Sequence, residues 1–224
     1  MNNIIISDVT AEHIPAIKDI VREVWDWEDA FASDDIVDAC VAIYFAPVLH
    51  DATFGRVALL NGKAVGVIFG TIDGEMPCYK HLLEDITPYI ITMMQANEND
   101  RQIMCEYMTK QYAVYEELID EVAEEYDGAL DFLVLSNAAQ GRGIGKQLWL
   151  VLKAYLEEKN VSKVYVYSDN KCNFGFYESQ GFTRRGKKDM CIVFDGEEER
   201  TEQYLYEYRV QESGGRNQKE RSGQ

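Results

Sequence analysis

Apolar positions near the N-terminus follow helical spacing. One set recurs every three or four residues, which predicts an amphipathic helix after a Thr10 cap. Its members are Ile14, Ile17, Val21 and Val24. A second apolar series begins after Ser33, and Pro47 is expected just beyond the end of that helix. The pattern therefore predicts two helices before the first sign of a hairpin.

The next segment changes to strand spacing. Two runs, 54–60 and 63–71, are rich in β-branched and other apolar residues. Asn61-Gly62 separates them, and this pair accepts the positive φ angles of a tight two-residue turn. The segment predicts a β-hairpin.

Residues 73–127 return to helical spacing and become strongly acidic. Fourteen acidic residues stand against three basic ones, and Pro88 and Asn97 interrupt the spacing. We expect an acidic helical insertion. Its charged faces are either solvated helix surface or a means of gathering a cationic substrate.

The second half alternates strands and helices. In order, the pattern predicts a strand over 130–135, a helix over 144–159, a strand over 161–167, a short helix ending at Gly181, and strands from Phe182 and over 204–210. Residues 211–224 are polar and are predicted to be disordered. One domain over 1–210, carrying the insertion 73–127, is therefore expected.

Composition narrows the class of protein. Hydrophobic residues make up 46% and charged residues 27%, as in a soluble globular chain, and no apolar run approaches the roughly 18 residues of a membrane span. The five cysteines are far apart and the three histidines isolated, which predicts reduced thiols and no metal site. The N-terminus shows no secretion pattern, so a cytoplasmic protein is expected. A net charge of −17 opposes binding to nucleic acid or anionic membranes and permits cationic partners.

The most specific chemistry lies between the strand at 130–135 and the next helix. The loop there has the sequence Gln140-Gly141-Arg142-Gly143-Ile144-Gly145. Such a loop brings backbone N–H groups to a phosphate at a helix N-terminus, and Lys146 adds a nearby cation. A dinucleotide fingerprint would need its third glycine one residue later, and a P-loop would need Ser or Thr where Gln147 stands.

The remaining pattern, Gln/Arg-x-x-Gly-x-Gly/Ala, resembles the coenzyme A loop of GNAT acetyltransferases. A second motif follows the next strand, where Asn170 precedes Phe176-Tyr177-Glu178-Ser179-Gln180-Gly181-Phe182 and resembles the family's Asn…Phe-Tyr-Glu-x-x-Gly-Phe. The resemblance implies an α/β (α+β) fold with a mixed, mostly antiparallel sheet flanked by helices. The helical insertion would lie between strands 3 and 4. It also implies direct acetyl transfer from acetyl-CoA, as cosubstrate, to an amine.

The resemblance assigns roles to individual residues. Backbone groups of Leu133, Val134 and Leu135 would hold the acetyl carbonyl and the pantetheine arm. The pyrophosphate would lie against Gln140, Gly141, Arg142, Gly143, Ile144, Gly145 and Lys146. Asn170 and Asn173 are alternative side-chain contacts to the cofactor, unless they only cap the short helix. Tyr177 matches the proton donor to the departing thiolate, the structural alternative being a core tyrosine.

The general base departs from the family pattern. Ala129 stands where some members, including histone-acetylating ones, carry Glu. Asp131, on the same strand face if alternation holds, is the predicted substitute; a glutamate of the insertion or a water chain are the alternatives.

The acceptor is expected to be a primary amine of an unidentified small molecule or peptide, cationic if the acidic insertion gathers it. Polyamines, aminoglycosides and lysine-bearing peptides are examples of that class. A coenzyme A-binding module without turnover and transfer of a larger acyl group are the rival functions. A homodimer is a family-level expectation.

Overall fold

A computed structural model describes residues 3–27, 30–194 and 197–210. Its elements, in chain order, are β1 (Ile4–Asp8), α1 (Ile14–Trp25), α2 (Asp34–Asp51), β2 (Phe54–Leu60), β3 (Lys63–Ile72), α3 (Thr87–Gln95), α4 (Glu98–Val122), β4 (Gly128–Leu135), α5 (Ile144–Glu158), β5 (Lys163–Asp169), α6 (Phe174–Ser179), β6 (Thr183–Phe194) and β7 (Glu197–Arg209). The strands form one sheet in the order β1-β2-β3-β4-β5-β7-β6. All neighbours are antiparallel except β4 and β5, which confirms the predicted mixed, mostly antiparallel sheet.

The sheet separates two apolar layers. On one face α5 buries Leu148, Trp149 and Leu152 against strands from both halves of the sheet. On the other face α1 and α2 pack on β2, β3 and β4, with Ile17 and Phe45 almost fully buried. The layers are held to the sheet by burial of apolar surface, which contributes about 25 cal/mol for each Å² removed from water.

The first helix differs from its prediction at both ends. Thr10 begins a short 3-10 turn over 11–13, where its hydroxyl lies 3.0 Å from Nδ1 of His13, and Pro15 falls in the first turn of α1. Proline is tolerated there because its missing N–H would have no helical partner. The spacing predicts Val24 on the buried face, but 37% of it is exposed, at the edge of a cavity.

The predicted end of the second helix is wrong. α2 continues to Asp51 with Pro47 inside it. Proline removes one backbone hydrogen bond and normally stops a helix. Phe45 and Leu49 stand on either side of it with 1% and 3% of their surfaces exposed. Burial of these apolar side chains therefore keeps the helix going beyond a residue that, taken locally, should end it.

The predicted hairpin is present. β2 and β3 are joined by Asn61 and Gly62 with φ angles of 52° and 82°, as a two-residue turn requires. In the insertion, Pro88 lies in the first turn of α3. Asn97 caps α4, its side-chain oxygen accepting the N–H of Asp100 at 2.9 Å. The residues that interrupted the helical spacing are therefore helix starts.

The last strands are placed differently from the prediction. β5 lies two residues later than expected, and β7 begins at Glu197 instead of Tyr204. β7 pairs with β6 along its length. In the N-terminal part of β7 the side chains of Thr201 and Gln203 are buried, although they are polar. Apolar alternation cannot detect such a strand. The predicted disordered tail, 211–224, lies outside the described residues.

Among the described residues, no helix combines the length and the apolar character needed to cross a bilayer. All five cysteines are free thiols.

Candidate active site

A gap in the sheet defines the site. β4 and β5 pair only at Gly128 with Val164 and at Ala129 with Tyr165, and the two strands then diverge. A cavity of about 1020 Å³ opens at this gap, lined on the β4 side by Leu133, Val134 and Leu135. Backbone groups on the edge of a strand that has lost its neighbour need other hydrogen-bond partners. A ligand with amide groups can supply them.

The glycine loop forms one wall of the cavity. Gly143 precedes α5 with φ of 72°, in the left-handed region that favours glycine. The first-turn N–H groups of a helix have no partner within the helix and carry its positive dipole end. The loop residues that line the cavity are Gln140, Gly141, Gly143, Ile144, Gly145 and Lys146. Arg142 was predicted with them but is not part of the lining, and its side chain is exposed.

Side-chain hydrogen bonds fix the loop to the rest of the fold. Nε2 of Gln140 donates to Oδ1 of Asn137 at 3.0 Å. The backbone N–H of Asn137 donates in turn to Oε1 of Glu23 on α1 at 3.1 Å. A β-carbon at Gly145 would lie 3.2 Å from Cδ1 of Leu135, so glycine lets the start of α5 approach β4 closely. The loop is thus held before any ligand arrives.

The structure separates the two candidate asparagines. Asn173 lines the cavity. Asn170 does not: its side-chain oxygen accepts the N–H of Glu202 at 3.0 Å, and its own N–H donates to the carbonyl of Glu202 at 3.0 Å. Asn170 therefore extends the pairing of β5 with β7, and of the two asparagines it is Asn173 that lines the cavity.

Tyr177 lies where the loop wall meets the end of β5. Its ring packs on Phe176, Phe182 and Tyr206, with centroids 5.5 to 5.8 Å apart, and it lines the cavity. Burial, with a contribution from the Cys172 thiol, raises the pKa of Tyr177 above its ordinary range. An ordinary tyrosine already keeps its proton at neutral pH, and this phenol holds it more tightly.

The predicted base lies outside the cavity lining. β4 has a bulge here: Phe132 pairs with Phe69 and Leu130 with Gly70, which leaves Asp131 as the extra residue. Its carboxylate accepts the Thr71 hydroxyl at 2.5 Å. Solvent reaches the side chain, yet protein surrounds it on most sides, and this burial raises the pKa of Asp131 to about 7.

Sequence reasoning missed the other half of the cavity. It is lined by residues from the end of α1, from α4 and from β5, β6 and β7: Trp25, Asp26, Trp27, Phe31, Ile103, Met104, Tyr107, Asp169, Lys171, Cys172, Met190, Ile192, Glu199, Thr201 and Gln203. The alternation of Glu199, Thr201 and Gln203 would have been the pattern to notice, because alternate strand residues share a face.

The insertion reaches the cavity with apolar and aromatic groups instead of acids. Ile103, Met104 and Tyr107 of α4 line it. Glu117 and Glu121 are instead paired with Lys188 of β6, each at 2.7 Å. Their charge is therefore compensated on the α4–β6 contact, away from the cavity lining.

Solved structures share this architecture at low sequence identity. A Pyrococcus horikoshii OT3 protein, PH1933, is 16% identical with a TM-score of 0.58, over 93% of this chain and 99% of that one. The ribosomal-protein-S18-alanine N-acetyltransferase from Escherichia coli is 12% identical with a TM-score of 0.53, over 96% and 98%. The putative acetyltransferase yncA from Salmonella typhimurium, solved with its cofactor acetyl-CoA, is 15% identical with a TM-score of 0.51, over 96% and 99%. At these identities the likeness shows the fold.

Family membership comes from the sequence itself. Among curated proteins, none matches the chain significantly. The model of the acetyltransferase (GNAT) family matches residues 15–182, three quarters of the chain, and includes both motifs. The chain belongs to the acetyltransferase (GNAT) family and is an acyltransferase with acetyl-CoA as its cosubstrate.

Proposed function

We propose that the chain transfers the acetyl group of acetyl-CoA to a primary amine inside this cavity. The observation that carries the proposal is the continuity of the cavity. It runs from the glycine loop, along the free edge of β4, to a compartment between α1, α4 and the β5–β7–β6 strands. Two substrates entering from opposite ends would meet beside Tyr177.

The cofactor half is matched to the chemistry of coenzyme A. Residues 133–135 of β4 offer backbone groups to the pantetheine amides, as a neighbouring strand would. The loop over 140–145 and the first turn of α5 offer N–H groups to the pyrophosphate, with Lys146 beside them. Arg142, within the same loop, has an exposed side chain and adds positive charge near the cavity.

The reaction is a direct transfer. The unprotonated amine nitrogen attacks the thioester carbonyl carbon, and a C–N bond forms as the C–S bond breaks. The sulfur takes a proton from the Tyr177 phenol, and solvent then returns a proton to the phenolate. The ammonium ion first loses one proton to solvent, and the proton that the attacking nitrogen still has to lose passes to a carboxylate and then to solvent. Overall, an ammonium ion and acetyl-CoA give an amide, coenzyme A and one proton.

A covalent acyl-enzyme is not needed for this chemistry. Cys172 is the cysteine that lines the cavity. Burial there, together with the Asp169 carboxylate, raises the pKa of its thiol to about 12. The thiol is exposed to solvent in the open cavity, which weakens the effect of burial on its pKa without reversing it. With its pKa raised, the thiol stays protonated and is a poor nucleophile at neutral pH.

We assign the proton-accepting carboxylate to Asp169. It lines the cavity, whereas Asp131 does not. Oδ1 of Asp169 accepts the backbone N–H groups of Lys171 and Cys172, each at 2.8 Å, which fixes the side chain at the end of β5. Asp131 is the rival, and the corresponding variants of the two residues distinguish them.

The experiment combines binding and turnover. Acetyl-CoA at about a hundred times its Kd should raise the Tm by roughly 5–10 °C. Tyr177→Phe and Asp169→Asn should keep that rise and lose about a hundredfold in kcat for thiol release. An unchanged Tm with saturating acetyl-CoA would overturn the cofactor site. Loss of turnover in Asp131→Asn, but not in Asp169→Asn, would return the base to Asp131.

A further inference from the structure

The acceptor side of the cavity has a buried hydrogen-bond acceptor that lacks a donor. Gln203 on β7 has only 1% of its surface exposed, and its Oε1 has no hydrogen-bond partner among the described residues. Its Nε2 donates to Oγ1 of Thr201 at 2.9 Å, which orients the amide. Leaving a buried acceptor unpaired is unfavourable, because the group has lost its hydrogen bonds to water without gaining others. Gln203 is one of the residues that line the cavity, and a ligand N–H that reached this oxygen would supply the donor that it lacks.

A carboxylate stands beside that oxygen. Asp169 pairs directly with Gln203 in the register of β5 and β7, so their side chains lie on the same face, roughly 5 Å apart at Cβ. Both line the cavity. An amide oxygen next to a carboxylate suits a group that donates several hydrogen bonds and carries one positive charge, such as a primary ammonium.

Aromatic rings form the wall close to this pair. Trp27 meets Tyr107 edge to face with centroids 6.3 Å apart, and Phe31 likewise at 6.4 Å. Tyr107 and Asp169 both line this cavity. The other apolar members of this wall are Ile103, Met104, Met190 and Ile192. Such a wall suits an apolar, flat body.

A carboxylate is available for one ammonium group at this place. Among the described residues that line the cavity, the carboxylates are Asp26, Asp169 and Glu199. Glu199 is already paired with Lys171. Asp169 is the one that stands beside Gln203 in the pairing of β5 with β7.

We propose that the acceptor is an arylalkylamine, a primary amine joined by a short alkyl chain to an aromatic ring. Its ring lies against Trp27 and Tyr107, and its nitrogen donates to Oε1 of Gln203 with Asp169 alongside. This inference rests on the proposed acetyl transfer and names the substrate of that same site.

The test measures thiol release from acetyl-CoA with four amines: phenethylamine, butylamine, spermidine and a lysine-containing peptide. The value of kcat/KM should be highest for phenethylamine, about tenfold or more above butylamine. Gln203→Met should raise the KM for both monoamines about tenfold with the acetyl-CoA Kd unchanged. Trp27→Leu should raise the KM for phenethylamine and leave the KM for butylamine within about twofold. Gln95→Met, the same chemical change on the exposed end of α3, is the matched control.

The outcomes separate the two proposals. A missing Tm rise with acetyl-CoA would sink the transferase site itself. A normal rise with faster turnover of spermidine or the peptide would overturn the arylalkylamine class and leave acetyl transfer standing. Preference for phenethylamine with no effect of Gln203→Met would overturn the role of Gln203. The comparison of amines uses the unaltered protein, so it decides the substrate class even where a variant does not fold.

Discussion

At the scale of single residues, the site depends on groups whose local conformation or ionisation is unusual. Gly143 takes a left-handed conformation at the point where the loop becomes α5. Asp131 occupies a bulge and holds its proton up to near neutral pH. The conformation of Gly143 shapes the wall of the proposed cofactor site. The raised pKa of Asp131 makes the stability of the protein depend on pH.

Replacing Gly143 tests whether its conformation positions the loop. A β-branched side chain at φ of 72° costs about 1–2 kcal/mol, whereas asparagine tolerates this region. Gly143→Val should therefore lower the free energy of unfolding by about that amount and weaken acetyl-CoA binding. Gly143→Asn should retain most of both. Equal losses in the two variants, measured by denaturation and calorimetry, would contradict the conformational explanation.

Asp131 should make stability depend on pH. Its native pKa of about 7 exceeds the value near 3.9 of an unfolded Asp, so the native state binds the proton more tightly. Its contribution is then favourable only at low pH; stability falls as pH rises from about 4 to about 7, and the penalty persists above. Asp131→Asn should therefore stabilise the protein at pH 8 by about 1 kcal/mol, since solvent screening reduces the effect, and not at pH 4.

The control for Asp131 is the exposed Glu125→Gln, which removes one negative charge without relieving burial. Urea denaturation at both pH values measures the difference. A gain of the same size in both variants would mean that general charge repulsion, and not the burial of Asp131, is responsible.

At the scale of elements, α4 links the insertion to the catalytic sheet. Its acidic side meets Lys188 on β6, and its apolar side faces the cavity. One helix thus both holds the β6–β7 hairpin and forms part of the proposed acceptor wall.

The two sides of α4 should respond differently to mutation. Glu117→Gln with Glu121→Gln should leave the amine KM within about twofold, because these carboxylates do not line the cavity. Exposed ion pairs contribute little, so the free energy of unfolding should hardly change. Tyr107→Leu should raise the amine KM, because it removes a lining ring. A large rise in KM in the double variant would instead support the gathering of cationic amines by the acidic insertion.

The sequence predicted those features of the fold that depend on neighbouring residues. The hairpin at Asn61-Gly62, the helix after the glycine loop and the order of elements all follow from spacing and turn residues. The continuation of α2 through Pro47 does not, because burial by residues distant in sequence offsets the lost hydrogen bond. The proposed acceptor compartment was also beyond prediction, because Trp27, Tyr107 and Gln203 come from separate parts of the chain and line one cavity only when it is folded.

At the scale of the whole molecule, charge is unevenly matched to the two substrates. The chain carries a net charge of −17, while acetyl-CoA is a polyanion and a primary amine is a cation at neutral pH. The long-range field should therefore oppose one substrate and attract the other.

Salt should change the two association rates in opposite directions. Between about 20 and 200 mM NaCl the screening length shrinks to roughly the size of a side chain. The association rate of acetyl-CoA should then rise, and that of a protonated amine should fall, each by a few-fold in stopped-flow measurements. If acetyl-CoA also bound more slowly in salt, the local cations Lys146 and Arg142 would be dominating the field.

The narrow junction between β4 and β5 has a mechanical consequence. In the part of the chain that the structure describes, β4 and β5 pair at two positions, and just before them the N–H of Asp127 donates to the carbonyl of Lys163 at 2.9 Å. Without a ligand, the edge amides of β4 beyond Leu130 have no strand to shield them and should exchange with deuterium quickly. A bound cofactor that contacted both halves of the sheet would slow this exchange and make the two halves unfold together.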